Sequence, residues 1–151
     1  VSDPGLPDEV VALLNNLAAD GEQAVQPLFT VGDQGYPHAT LSSARQWYTG
    51  DEHLVCVLVA GRTTRYLAQR PQALLLVIGA SQAYSVRLRA TQIQEVENRW
   101  VAVVFDVTAV ESDTRDVALT PMLFHATHQL ARQERISDRA AATAARLAQQ
   151  P

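Results

Sequence analysis

Lysine is absent from this chain: all 12 basic side chains are arginine. A phosphate loop of the form G-x-x-x-x-G-K-S/T is therefore excluded, and the dinucleotide fingerprint G-x-G-x-x-G is missing as well. Cysteine occurs once, as Cys56, which rules out an internal disulfide framework and a cysteine-rich zinc site. Positive charge is neither abundant nor clustered. The formal net charge is -4 with the arginines scattered, so no general nucleic-acid surface is expected. No apolar run reaches the roughly 18 residues of a membrane span. The opening "VSDPGLPDEV" has no basic n-region followed by an apolar h-region, and a cytoplasmic protein is the expectation.

What is present is enough apolar material for a core. Hydrophobic residues make up 47% of 151 residues, which suits one domain. The pattern predicts a single domain over 1–151, with an N-terminal helix at about 8–20, a barrel at about 24–112 and C-terminal helices at about 114–150. Asp8 is the expected N-cap of the first helix. Val10, Leu13, Leu14 and Leu17 share one face, and Gly21 follows the end. "GDQG" at Gly32–Gly35 and "TGDE" at Thr49–Glu52 are hairpin signals. "AYSVRLRATQIQEVENRWVAVVFDVTAVES" reads as a long strand pair turning at Glu97-Asn98-Arg99. Strands joined mostly by short turns favour antiparallel pairing, and closure into a small barrel removes the edges. The fold expected is mainly β with flanking helices, a six-stranded antiparallel barrel. In the tail, Pro121 should break a helix and Ser137 should cap a new one. That last helix is alanine-rich with Leu147 as its one large apolar residue, a face expected to dock on a partner or fray.

One stretch carries most of the chemistry. "LVCVLVAGRTTRYLAQRP" begins as a buried apolar strand and at Gly61 becomes Arg62, Thr63, Thr64 and Arg65 at the start of a short helix closed by Pro71. A helix start offers unpaired N–H groups and a partial positive charge; a hydroxyl and an arginine there add directed donors for a phosphate or carboxylate. The plainer alternative is that a threonine caps the helix and the arginines are merely solvated.

The order of these segments resembles the FMN-binding split-barrel family, that of pyridoxamine 5'-phosphate oxidase and its relatives. The family pattern is a first strand, D-G-x-P-H, a second strand, a third strand ending in a serine and basic residues, a short helix, then N-P and another strand. Here Gly35, Pro37 and His38 are followed by Gly61-Arg62-Thr63, Leu67, Pro71 and the strand from Gln72; the match spans roughly Leu28 to Ala90. The resemblance implies a split barrel binding FMN between two subunits of a homodimer, acting as a flavin-dependent oxidoreductase on a small molecule. It also implies that Arg62 and Thr63 grip the phosphate. Thr40, Leu41, Ser42 and Ser43 would contact phosphate and ring edge, and Cys56 and Val57 would line the ring. Departures are visible: Gly61 replaces a frequent serine, the common lysine is absent, Thr40 stands where an arginine often does, and Tyr66 replaces an asparagine. F420 or haem are the alternative cofactors, haem requiring an axial ligand such as His125 or His128. A dimer that keeps the barrel and has lost catalysis is a further alternative. The ending "RISDRAAATAARLAQQP" lacks the arginine- and histidine-rich motif with which true pyridoxamine phosphate oxidases end, so that activity is not expected.

No acid or base stands out as catalytic, and no metal is expected. His125 and His128, at i and i+3, are two ligands without a third. His38 is expected to pack or to bond within a turn. Cys56 is expected to be a small buried hydrophobe, Trp47 and Trp100 core or interface residues, and Arg87 and Arg89 the solvated face of a strand.

Overall fold

A computed structural model describes residues 5–19, 24–115, 119, 122–124 and 135–151. The Gly21 stop, the Pro121 break and the pair His125 and His128 lie outside the described residues.

Helix α1, Asp8–Ala19, begins one residue earlier in its capping than the sequence indicates. The carbonyl of Pro7 accepts from Val10 and Val11, so Asp8 is the first helical residue and adds its charge to the positive end. Val10 and Leu14 are buried from this helix. Seven strands follow: β1 Val25–Val31, β2 Pro37–Ser43, β3 Trp47–Thr49, β4 His53–Val59, β5 Gln72–Ile78, β6 Ala83–Glu97 and β7 Trp100–Ser112. Helix α2, Arg62–Gln69, joins β4 to β5, and helix α3, Asp138–Ala148, comes last. The strand count is seven rather than six, because β3 is only 3 residues long, too short to show a periodicity in sequence.

All strand pairs are antiparallel, in the order β2-β1-β5-β6-β7-β4-β3. The two outermost strands, β2 and β3, are consecutive in the chain and separated only by the 3-10 turn Ala44–Gln46. A flat sheet would hold them six strand spacings apart. The turn therefore requires the sheet to curl until its ends meet. The junction is fastened by side chains: Trp47 Nε1 donates to Ser42 Oγ at 2.9 Å, and Gln46 Nε2 donates to the Val57 carbonyl at 2.9 Å. Register shifts along β6 and β7, at Arg87/Leu88, Ala90/Gln92 and Glu95/Glu97, bend the long hairpin as a closing sheet requires. Its turn is where the sequence places it, with Asn98 taking the positive φ of 48°.

Alternation sends one face of each strand inward. Leu28, Leu54, Leu75, Val86 and Phe105 fill the interior beside Trp47, with α1 closing over part of it. Each such fully buried side chain contributes about 1.5–3 kcal/mol. The outer face of β4 and β7 carries a second cluster, in which Val55, Val57, Ala102 and Val104 lie under Ala140, Ala144 and Leu147 of α3. The alanine-rich helix expected to dock on a partner or fray instead covers the chain's own sheet. Small side chains let it approach closely: a Cβ on Gly50 would collide with the Ala148 carbonyl oxygen. Ser137 caps α3 as expected, its hydroxyl accepting from Ala140 N at 3.1 Å.

Candidate functional site

The site is built where α2 meets β2. β4 ends at Val59, and the chain turns through Gly61 into α2. Thr64 takes the local bonds at this turn: its hydroxyl accepts from Gly61 N and donates to Gly61 O, both at 3.0 Å. That frees Thr63, one residue earlier, to point across to the sheet. Thr63 is buried, and its Oγ1 lies 2.5 Å from Thr40 Oγ1 and 3.3 Å from His38 Nε2.

The hairpin register explains the meeting. His38, Thr40 and Ser42 alternate onto the inner face of β2 and stand opposite Thr30, Leu28 and Gln26 of β1. Thr30 is buried with no partner for its hydroxyl oxygen, the one such side-chain atom among the described residues. His38 also packs edge-on against Tyr66 of α2, with ring centroids 5.2 Å apart.

Three arginines leave α2, and their fates differ. Arg65 pairs with Asp33 at 3.2 Å and lies over the Tyr66 ring. Arg70 donates to the Gly32 carbonyl at 3.3 Å. Arg62 is exposed, and no ion pair or hydrogen bond engages its guanidinium among the described residues. The result is an unengaged guanidinium and two hydroxyls at a helix start, a donor set suited to a phosphate or carboxylate.

The other expected cofactor residues are placed elsewhere or are already engaged. Leu41 points outward from β2 and is 52% exposed. Ser42 is fully buried; its hydroxyl donates to the Gln26 carbonyl and accepts from Trp47 Nε1. Ser43 caps the 3-10 turn, accepting from Arg45 N at 3.2 Å. Cys56 and Val57 are both fully buried on opposite faces of β4, Cys56 in the barrel interior and Val57 beneath α3. One flat ring cannot lie against both side chains. Thr40, Arg62 and Thr63 are thus drawn to one end of the barrel, whereas Ser42, Ser43, Cys56 and Val57 are not.

Two members of the cluster were not singled out in the sequence as site residues. His38 shares a strand face with Thr40 at i and i+2, but the sequence does not show that α2 covers it. Tyr66 stands out only as a replacement for an asparagine, and its contact with His38 is long-range. Arg87 and Arg89 are exposed as expected, Arg87 standing 3.5 Å from Glu111. Trp47 is core, its ring 5.8 Å from that of Phe105, and Trp100 belongs to the outer cluster. Burial drives the Cys56 thiol well above the usual range. No group of His, Cys, Asp and Glu among the described residues could hold a metal.

No family model matches the sequence, and no curated protein matches it. Solved structures do. A pyridoxamine 5'-phosphate oxidase-like protein of Lactobacillus delbrueckii superposes with a TM-score of 0.57 at 16% identity, covering 71% of this chain and 93% of that one. An FMN-binding protein of Syntrophomonas wolfei gives 0.56 at 12% identity, covering 71% and 88%. An F420 reductase gives 0.54 at 16% identity, covering 70% and 98%. These likenesses establish the fold as that of the FMN-binding split-barrel proteins.

Proposed function

We propose that this chain binds a flavin, FMN in the first instance, and serves as a flavin-dependent oxidoreductase on a small molecule. The observation that carries the reading is the unengaged Arg62 at the start of α2, beside the Thr63–Thr40 hydroxyl pair. A phosphate needs several directed donors, and the start of α2 offers a guanidinium and first-turn N–H groups beside the Thr63–Thr40 hydroxyls. The phosphate end of FMN therefore suits the residues present. Thr40, Arg62 and Thr63 would hold it. The side chains of Cys56 and Val57 have no exposed surface with which to line a ring. When bound, the flavin supplies the capacity to accept and give up hydride; the chain's part is to hold and orient it.

A homodimer belongs to this reading. β2 is a sheet edge, and its outer face presents Leu41 and, just before it, Tyr36, which is 74% exposed. A second copy of this chain is the occupant we assign to that surface. Pyridoxamine phosphate oxidation is not part of the proposal: α3 is alanine-rich on its packed face and contributes no histidine. The F420 reductase among the structural neighbours favours one second reading, a deazaflavin in place of FMN, because both cofactors carry a phosphate that Arg62 and Thr63 would serve.

The test is spectroscopic. The absorption of protein purified from its own host separates flavin, deazaflavin, haem and no chromophore. FMN titration into the wild type and Arg62→Glu should show affinity falling at least about tenfold, since the change removes a donor and adds repulsion. Equal affinities would remove Arg62 from the site.

A further inference from the structure

The His38–Thr63–Thr40 chain has a property that a simple phosphate grip lacks. Its terminal member is a histidine, the residue type used as a charge switch near neutral pH. Nε2 of a neutral imidazole is an acceptor in one tautomer and a donor in the other, whereas a charged ring can only donate. If Nε2 accepts, the single hydrogen of Thr63 is spent on His38. If Nε2 donates, Thr63 Oγ1 takes that bond, and its own hydrogen is available to Thr40 or to an anion. His38 Nδ1 makes no hydrogen bond among the described residues, and the side chain is half-buried, so solvent can reach the ring.

We propose that His38 is a positioning residue: its charged form orients the Thr63 hydroxyl as a donor and makes the affinity for the cofactor phosphate pH-dependent. This rests on the flavin reading above. From α2, Tyr66 edge-packs on His38, and the charged groups of the helix and its C-cap are Arg62, Arg65 and Arg70. Arg65 is paired with Asp33 of the β1–β2 turn. From β1 the opposing residue is Thr30, uncharged, with its hydroxyl oxygen unpartnered. No carboxylate is hydrogen-bonded to the ring, so none holds it charged when the phosphate is away.

The experiment measures FMN dissociation constants for wild type, His38→Gln and Thr63→Val from about pH 8 to about pH 5.5, the span over which histidine acquires its charge. FMN's own phosphate titrates in this range, and dividing the variant constant by the wild-type constant at each pH cancels that effect. For His38→Gln the ratio should rise roughly tenfold on acidification, the size of a hydrogen bond to a charged group. Thr63→Val breaks the same link from its other side and should give the same rise, with no further rise in the double variant. Riboflavin, which lacks the phosphate, should give a flat ratio. Thermal unfolding shows whether each variant is folded, and either one alone suffices for the comparison. A flat FMN ratio, or an equal rise with riboflavin, would overturn the role of His38 and leave FMN binding standing. Failure of the wild type to bind FMN at any pH would overturn the cofactor reading and this inference together.

Discussion

Thr40 and Thr63 are 23 positions apart in sequence, on a strand and a helix, and their hydroxyl oxygens lie 2.5 Å apart. That distance is at the short end of the range for an O–H···O bond. The pair ties the start of α2 to the inner face of β2. Replacing either with valine keeps the shape and removes the bond. Each single change should cost about 1 kcal/mol of stability, and the double variant should cost less than the sum. FMN affinity should fall in both. Urea unfolding of the four proteins measures the coupling; strict additivity would mean the two hydroxyls do not interact.

Ser42 separates a structural role from a cofactor role. Its hydroxyl sits between the Gln26 carbonyl and the indole N–H of Trp47, at the junction where the sheet ends meet. Ser42→Ala leaves that buried N–H without an acceptor. The expected cost is about 1–3 kcal/mol, with FMN affinity unchanged. Unaltered stability with weakened flavin binding would reverse the assignment.

The sequence showed most of the fold because strong local signals coincide with it. "GDQG", "TGDE" and Glu97-Asn98-Arg99 each mark a turn between paired strands. Ser137 marks the start of α3. The closure of the sheet was less legible. It depends on the three-residue turn Ala44–Gln46 and on Trp47 reaching Ser42, both tertiary facts. The site was legible in part for the same reason. Arg62 and Thr63 announce themselves at a helix start, but their partners on β2 are fixed by register. Cys56 and Val57 looked like neighbours along a chain, and the period of a strand places them on opposite faces.

Cys56 should leave a mark on stability at alkaline pH. Burial holds its thiol well above the ordinary range, and Tyr48 is raised as well, first by burial and then by Cys56. An unfolded thiol ionises near pH 8.5, roughly, while the folded one keeps its proton. Above that pH the unfolded chain binds fewer protons, so stability is full below about 8.5 and falls as pH rises, by at most about 1.4 kcal/mol per unit. Between about pH 8.5 and 10 the slope should vanish in Cys56→Ala, before tyrosine ionisation contributes. Urea midpoints across that range provide the measurement. A thiol reagent at about pH 8 should find no reactive group until the protein is unfolded.

The second copy assigned to the β2 face should give a dimer. Light scattering at micromolar concentration should report twice the chain mass of 16.5 kDa. Leu41→Arg places a charge on the outer face of an edge strand and touches nothing in the barrel interior, so it should shift the population to monomer without lowering the unfolding temperature of dilute protein. A wild-type monomer, or a variant that remains dimeric, would remove this face from the interface.

Gly50 bears on how α3 is held. It lies in the turn between β3 and β4, and the helix end comes so near that an added Cβ would collide with the Ala148 carbonyl. The obstacle is backbone, so no rotamer change relieves it. Gly50→Ala must therefore push the end of α3 away from the sheet or distort the turn, and overpacking of this kind costs about 1–3 kcal/mol. The direction of relief can be read. Gln149 Nε2 donates to the Thr49 carbonyl at 3.4 Å beside the contact, a weak tether, whereas Leu54, Val55 and Cys56 of β4 are locked between β3 and β7. The helix should yield first. Limited proteolysis should then cut near residues 146–150 in Gly50→Ala and spare them in the wild type, with amide exchange in β4 rising less than that in α3. Faster exchange across β4 with α3 still protected would show that the turn, and not the helix, is the softer element.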